Sequence, residues 1–226
     1  MPAASIAGLP TRSSIAAMPN DLAPISVEEI ASWYQGCALS EDWTSHHFPL
    51  WLQVLRPLRA LPVNVLEIGS WEGRSALFFL NYLRNCRITC VDTFAGGDEH
   101  RDNPRWSALL PTIEQRFDAN LERFKSRVEK IKATSVAALA GLGIAKCRFD
   151  LVYIDGSHRA SDVYADAVLS WSLLNKAGFV IFDDYVYALG TDEHDRPKLG
   201  IDSFLYHFLT QYVPVAGGHQ LIVQKA

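Results

Sequence analysis

The chain has no run of 18 or more apolar residues, so none of it reads as a membrane-spanning helix, which needs about 20. Cysteine is scarce. Cys37, Cys86, Cys90 and Cys147 form no C-x-x-C pair, and buried thiols in a reducing compartment explain them better than a zinc site or a disulfide framework. The first 24 residues lack both a charged n-region and a continuous apolar h-region, and Arg12 is their one basic side chain. They read as a flexible arm rather than a secretory signal, and the cytoplasm is the expected location. Positive charge is also short, with 21 basic against 25 acidic residues and a formal charge of −4. An acidic nucleic-acid binder needs a local basic patch. The densest basic stretch, Arg123 to Lys132, is interleaved with Glu and apolar residues, as on a solvated helix running into a strand. No nucleic acid and no membrane is therefore expected as a partner. Internal repeats are missing too, which excludes solenoids and coiled coils. Finally, no G-x-G-x-x-G and no Walker lysine occur, so a dinucleotide or nucleoside-triphosphate site has little support.

What is present is a chain of 226 residues, 49% of them hydrophobic, enough for one large self-supporting domain. Ser26 and Glu29 form a capping-box pattern ahead of a short helix over 27–34, and 48–58 is a second helical candidate. Five short apolar runs follow, at 63–68, 87–91, 128–131, 149–154 and 179–182. Each has the character of a buried parallel strand. Helical stretches at 73–83, 106–124, 135–142 and 161–174 separate them. In the last, Val163, Ala167, Trp171 and Leu174 share one face. A helix over 201–212 and a strand over 220–224 close the chain. This alternation predicts an α/β, doubly wound, mostly parallel sheet with helices on both faces, in one domain over 25–226.

Open parallel sheets bind ligands at the carboxyl ends of their strands, where strand order reverses. The first strand runs there into Glu67-Ile-Gly69-Ser70-Trp-Glu-Gly73, two glycines four apart between a strand and a helix. Such glycines let the backbone turn tightly and come close to a ligand. A second acid, Asp92, ends the next strand, where a carboxylate can accept both hydroxyls of a ribose. These residues resemble the class I S-adenosylmethionine-dependent methyltransferases. The resemblance implies their Rossmann-like, seven-stranded fold with a short N-terminal helical cap. It also implies that Glu67, Gly69, Ser70 and Gly73 cradle the methionine part of S-adenosylmethionine, that Asp92 holds the ribose, and that Thr93 and Phe94 border the adenosine. Ser135, beside Thr134 after the third strand, would lie near the adenine.

The fourth strand ends Asp155-Gly-Ser-His158 and the fifth ends Asp183-Asp184-Tyr185. Neighbouring parallel strands would bring three carboxylates and an imidazole to one crevice. Like charges resist joint ionisation, and a hard divalent cation with oxygen ligands relieves that. Here the pattern is similar to the metal-dependent small-molecule O-methyltransferases, in particular the macrocin-type sugar O-methyltransferases. The similarity implies that Asp155, Asp183 and Asp184 ligate Mg²⁺ and that His158 is the general base, with Asp155 beside it in the catalytic centre. Some relatives carry Glu at the position of Asp183. The implied partner is a small-molecule hydroxyl acceptor, a sugar among the candidates, and a homo-oligomer is compatible with the sequence.

Less committed side chains are Trp43, His46 and His47, which read first as a solvent-facing loop and second as a lid. Tyr185 and Tyr187 are candidates for the acceptor pocket or for plain packing. The charged segment Asp98 to Asp102 reads as an exposed loop near the cofactor entrance. Three other functions compete: a metal-independent methyltransferase of the same fold, a nicotinamide-dependent oxidoreductase, and a non-catalytic module that binds the cofactor.

Overall fold

The computed structural model describes residues 23–187, 192, 194 and 196–226. The arm expected over 1–24 falls outside them except for its last two residues. The chain divides into two compact units at Gln35/Gly36. In the first, helix α1 (Val27–Ser32) starts where Ser26 Oγ accepts from Glu29 N at 3.1 Å, the capping contact its sequence encodes.

The second unit carries a seven-stranded sheet in the order β3-β2-β1-β4-β5-β7-β6. Its strands are β1 (Pro62–Ile68), β2 (Asn85–Asp92), β3 (Val128–Lys132), β4 (Phe149–Ile154), β5 (Leu174–Phe182), β6 (Tyr212–Ala216) and β7 (Leu221–Lys225). The first five are mutually parallel, while β7 runs antiparallel to both β5 and β6. Strand order reverses at the β1–β4 pair, so the carboxyl ends of these two strands flank the crevice such sheets use for ligands.

Helix α2 (Phe48–Val54) precedes β1, α3 (Arg74–Tyr82) follows it, α4 (Asp98–Asp102), α5 (Pro104–Ser107) and α6 (Leu110–Leu121) lie between β2 and β3, and α7 (Ser135–Ile144), α8 (Ala160–Leu173) and α9 (Pro197–His207) follow β3, β4 and β5. Alternating strand residues face two cores. Leu66, Ile68, Val152, Ile154, Val180 and Phe182 join Val163, Trp171 and Phe204 of α8 and α9. On the other face, Tyr153 meets Trp51 and Phe79 edge-on, at ring separations of 5.3 and 5.7 Å.

Proline accounts for most departures from the expected elements. The helix expected over 48–58 ends at Val54 and resumes as a single 3₁₀ turn at Arg56–Leu58, because Pro57 lacks an N–H and disfavours helical geometry before it. The helix expected over 106–124 is broken the same way, with Pro104 opening α5 and Pro111 lying in the first turn of α6. Tyr212, expected to close a helix, instead begins β6, an edge strand in which Pro214 is tolerated.

Candidate active site

The turn after β1 is built from inside. Glu67 has no solvent exposure, and its two oxygens accept from Ser70 Oγ and Ser75 Oγ, each at 2.6 Å. Burial, only partly offset by those hydroxyls, pushes its carboxyl up to about 7. Glu67 thus braces the turn from behind. Gly69 has φ +84°, and a Cβ there would lie 2.0 Å from the Asp155 carbonyl oxygen. Its lack of a side chain is what lets the β1 turn pass directly over the end of β4. Gly73, at φ +82°, caps α3 in the left-handed region.

Asp92, at the end of β2, faces this turn. Its Oδ2 accepts from Ser70 N (2.7 Å) and Trp71 N (2.9 Å), and its Oδ1 accepts from Phe94 N (2.6 Å). Oδ2 is filled by its two donors, whereas Oδ1 can still take another, so the carboxylate can organise the loop and receive a hydroxyl together. Thr93 is exposed and its Oγ1 accepts from Ala95 N, while Phe94 is buried, with its ring 5.2 Å from that of Phe117. Ser135 opens α7. Burial raises the carboxyl of Asp166 to about 6, an effect that the nearby Ser135 hydroxyl partly offsets.

Beyond Gly69 lies a crevice lined by Asp155, Gly156, Ser157, His158, Asp183, Asp184 and Pro197. Tyr153, fully buried, places its hydroxyl between two carboxylates, donating to Asp155 Oδ2 at 2.8 Å and meeting Asp183 Oδ2. One hydroxyl proton cannot satisfy both. Burial and the mutual repulsion of Asp155, Asp183 and Asp184 hold Asp155 well above the usual carboxylate range and raise Asp183. Burial and like charge thus disfavour joint ionisation of Asp155 and Asp183, and a donor set of this kind suits a divalent ion with oxygen ligands.

His158 Nε2 sits 2.9 Å from Asp184 Oδ2, and its Nδ1 lies 3.8 Å from Glu99 Oε1. Burial draws the imidazole down, yet the hydrogen bond to Asp184 and the charges of Asp184, Glu99 and Asp183 outweigh it, so its pKa ends raised. The Tyr187 ring stands 4.1 Å from it, whereas the Tyr185 hydroxyl turns away to Asp202 at 2.8 Å.

Among the described residues, one tight group of ligand atoms consists of Asp183, Asp184 and His219, all within 4.8 Å of one another. Asp155 is tied to this group through Tyr153 and does not belong to it. Several participants left no readable mark in the sequence. Gln220 donates to Asp183 Oδ2 at 3.0 Å and accepts from Trp51 Nε1 at 2.7 Å, and His219, Tyr153 and Glu99 join through topology alone. The segment expected as an exposed loop is helix α4, which directs Glu99 inward. His47 is buried and His46 exposed. Trp43, Trp71, His100 and Trp106 cluster with ring separations of 4.5–5.7 Å beside the glycine turn.

A seven-stranded sheet with an antiparallel β7, a glycine turn after β1 and an acid ending β2 define a Rossmann-like methyltransferase domain. A family model described as a methyltransferase domain matches residues 66–185, and the chain belongs to that family. Among solved structures it is similar to the MycE methyltransferase of the mycinamycin biosynthetic pathway, determined with Mg, S-adenosylhomocysteine and mycinamycin VI. The TM-score is 0.61 at 18% identity over 88% of this chain and 54% of that one. An O-methyltransferase from Bacillus cereus in complex with S-adenosylhomocysteine gives 0.61 at 17% identity, covering 91% and 93%. An uncharacterised protein of Acanthamoeba polyphaga mimivirus, R132, is 24% identical over 144 residues, which are 62% of this chain and 59% of that protein. The chain therefore spans just over half of MycE and of the viral relative. No helix among the described residues is long and apolar enough to cross a membrane.

Proposed function

We propose that the chain is an S-adenosylmethionine-dependent O-methyltransferase that uses Mg²⁺ to methylate a hydroxyl of a small molecule, with sugar-containing metabolites in its range. The observation that carries this reading is the fusion of two sites at one strand pair. The glycine turn that would hold the cofactor lies on the Asp155 backbone, and the Asp155 side chain is joined to Asp183 through the Tyr153 hydroxyl. A sulfonium methyl in the first site would stand beside a hydroxyl in the second, and much of the acceleration in a two-substrate transfer is such positioning. The solved MycE and Bacillus cereus complexes, both with S-adenosylhomocysteine, support the cofactor assignment.

In this mechanism Ser70 and Gly69 shape the wall against the methionine part, and Gly73 starts the helix behind it. Asp92 receives a ribose hydroxyl, Thr93 and Phe94 flank the adenosine, and Ser135 borders the adenine side. Glu67 acts through the turn as a positioning residue. Asp183 and Asp184 would hold the cation, and Asp155, now bonded to the Tyr153 hydroxyl, would turn to complete the set. When bound, the cation supplies positive charge that lowers the acceptor hydroxyl's pKa and neutralises the acids that otherwise raise His158. His158 then takes the acceptor proton at Nε2, the nitrogen that now faces Asp184. Tyr187 packs against that ring.

Calorimetric titration with S-adenosylhomocysteine tests the cofactor half. Saturable binding is expected, weakened about tenfold or more by Asp92→Ala. Preference for NAD(H) over S-adenosylhomocysteine would overturn this reading in favour of an oxidoreductase.

A further inference from the structure

Three imidazoles converge next to the acid cluster from parts of the chain far apart in sequence. His46 and His47 come from the 3₁₀ turn Ser45–His47 that leads into α2, and His219 comes from the turn between β6 and β7. One ligand atom from each lies within 4.8 Å of the other two, and the ring centroids stand 3.7, 5.6 and 5.5 Å apart. We propose that His46, His47 and His219 form a second metal site, selective for an imidazole-preferring transition ion such as Zn²⁺, which adjoins the carboxylates assigned to Mg²⁺ and takes His219, the residue within reach of both groups.

Both halves of this site are fixed by contacts of their own. The 45–47 turn is clamped because Asp42 Oδ1 accepts from Ser45 N at 2.9 Å, while Arg74 donates to Asp42 at 2.6 Å and to Ser45 Oγ at 2.8 Å. His47 is 6% exposed and its ring stacks on Trp51. On the other side, the His219 carbonyl accepts from Tyr185 N at 2.9 Å. The next residue, Gln220, is 1% exposed and bridges Trp51 to Asp183. Asp183 Oδ1 lies 3.6 Å from His47 Nε2, where it can orient that imidazole as carboxylates do around metal-bound histidines.

Three close imidazoles repel one another when protonated, whereas neutral imidazole is the preferred ligand of Zn²⁺ and its neighbours and a poor one for Mg²⁺. Zn–N bonds of about 2.0–2.1 Å in a tetrahedral site set the nitrogens about 3.4 Å apart. The cluster therefore needs only modest side-chain rotation, for which exposed His46 has room. A bound ion would tie the 45–47 turn to the β6–β7 turn across Asp183. Its existence does not depend on the methyl-transfer reading.

The test uses the full chain, stripped by chelation and then saturated with Mg²⁺. Co²⁺ is titrated in and read by its visible d–d absorption, and Zn²⁺ then competes. The expected result is one equivalent of Co²⁺ bound in the presence of Mg²⁺ and displaced by Zn²⁺. His46→Ala should weaken binding about tenfold or more and His219→Gln should abolish it, both with unchanged circular dichroism. Asp155→Asn should leave it in place. Loss of the Co²⁺ signal under Mg²⁺ would overturn the proposal, since the ion would then be using the carboxylates. Binding indifferent to both histidine substitutions would overturn it as well.

Discussion

At the scale of single residues, Gly69 is the position with least freedom. Its positive φ strains any L side chain, and a Cβ would strike the backbone oxygen of Asp155 rather than a flexible side chain. Gly69→Ala should therefore destabilise the fold on the order of 3–5 kcal/mol, the range of severe backbone and packing defects, read by urea denaturation. Glu67 makes a second prediction. Its folded pKa is raised to about 7 from 4.5. Between those values the folded state keeps a proton that the unfolded chain has released, so this group's contribution falls as pH rises and levels off above 7. Comparing wild type with Glu67→Gln at pH 5 and 7.5 should expose a difference of up to about 3 kcal/mol in how stability changes with pH. A difference near zero would mean that the carboxyl is ionised throughout. For His158, replacement by Gln should slow methyl transfer about a hundredfold or more and leave S-adenosylhomocysteine affinity unchanged.

At the scale of elements, α8 and α9 touch through Gly200, where a Cβ would lie 2.2 Å from the Ala160 carbonyl oxygen. Gly200→Ala should push the helices apart and lower Tm, whereas Ser203→Ala on the same helix, at an exposed hydrogen bond, should shift it little. The strands and the glycine turn were legible in the sequence because buried parallel strands are short apolar runs and the turn needs its glycines. β6 was not, since Tyr-Val-Pro-Val-Ala offers no alternation and a proline. The candidate site was legible where its residues end strands, as with Asp92, Asp155 and Asp183. It was illegible where partners arrive through topology: His219 and Gln220 reach Asp183 only because β7 pairs antiparallel with β5. Tyr153 reads as a core residue until register aims its hydroxyl between two acids.

At the scale of the whole molecule, net acidity becomes local. Asp92, Asp155, Asp183 and Asp184 stand at the carboxyl end of one sheet, around the point where strand order reverses. A ligand bound only by the folded state stabilises it by about 2.7 kcal/mol at a hundred times its Kd. S-adenosylhomocysteine should accordingly raise Tm by about 5–10 °C at that excess, and NAD⁺ should not. The central claim is that this acid cluster holds a hard divalent cation beside the cofactor turn. Mn²⁺ titration followed by electron paramagnetic resonance tests it most directly, without knowledge of the methyl acceptor. The account predicts one Mn²⁺ bound per chain, displaced by Mg²⁺ and weakened about tenfold or more by Asp183→Asn or Asp184→Asn. Absence of bound Mn²⁺, or binding unaffected by Mg²⁺ and by both substitutions, would contradict it.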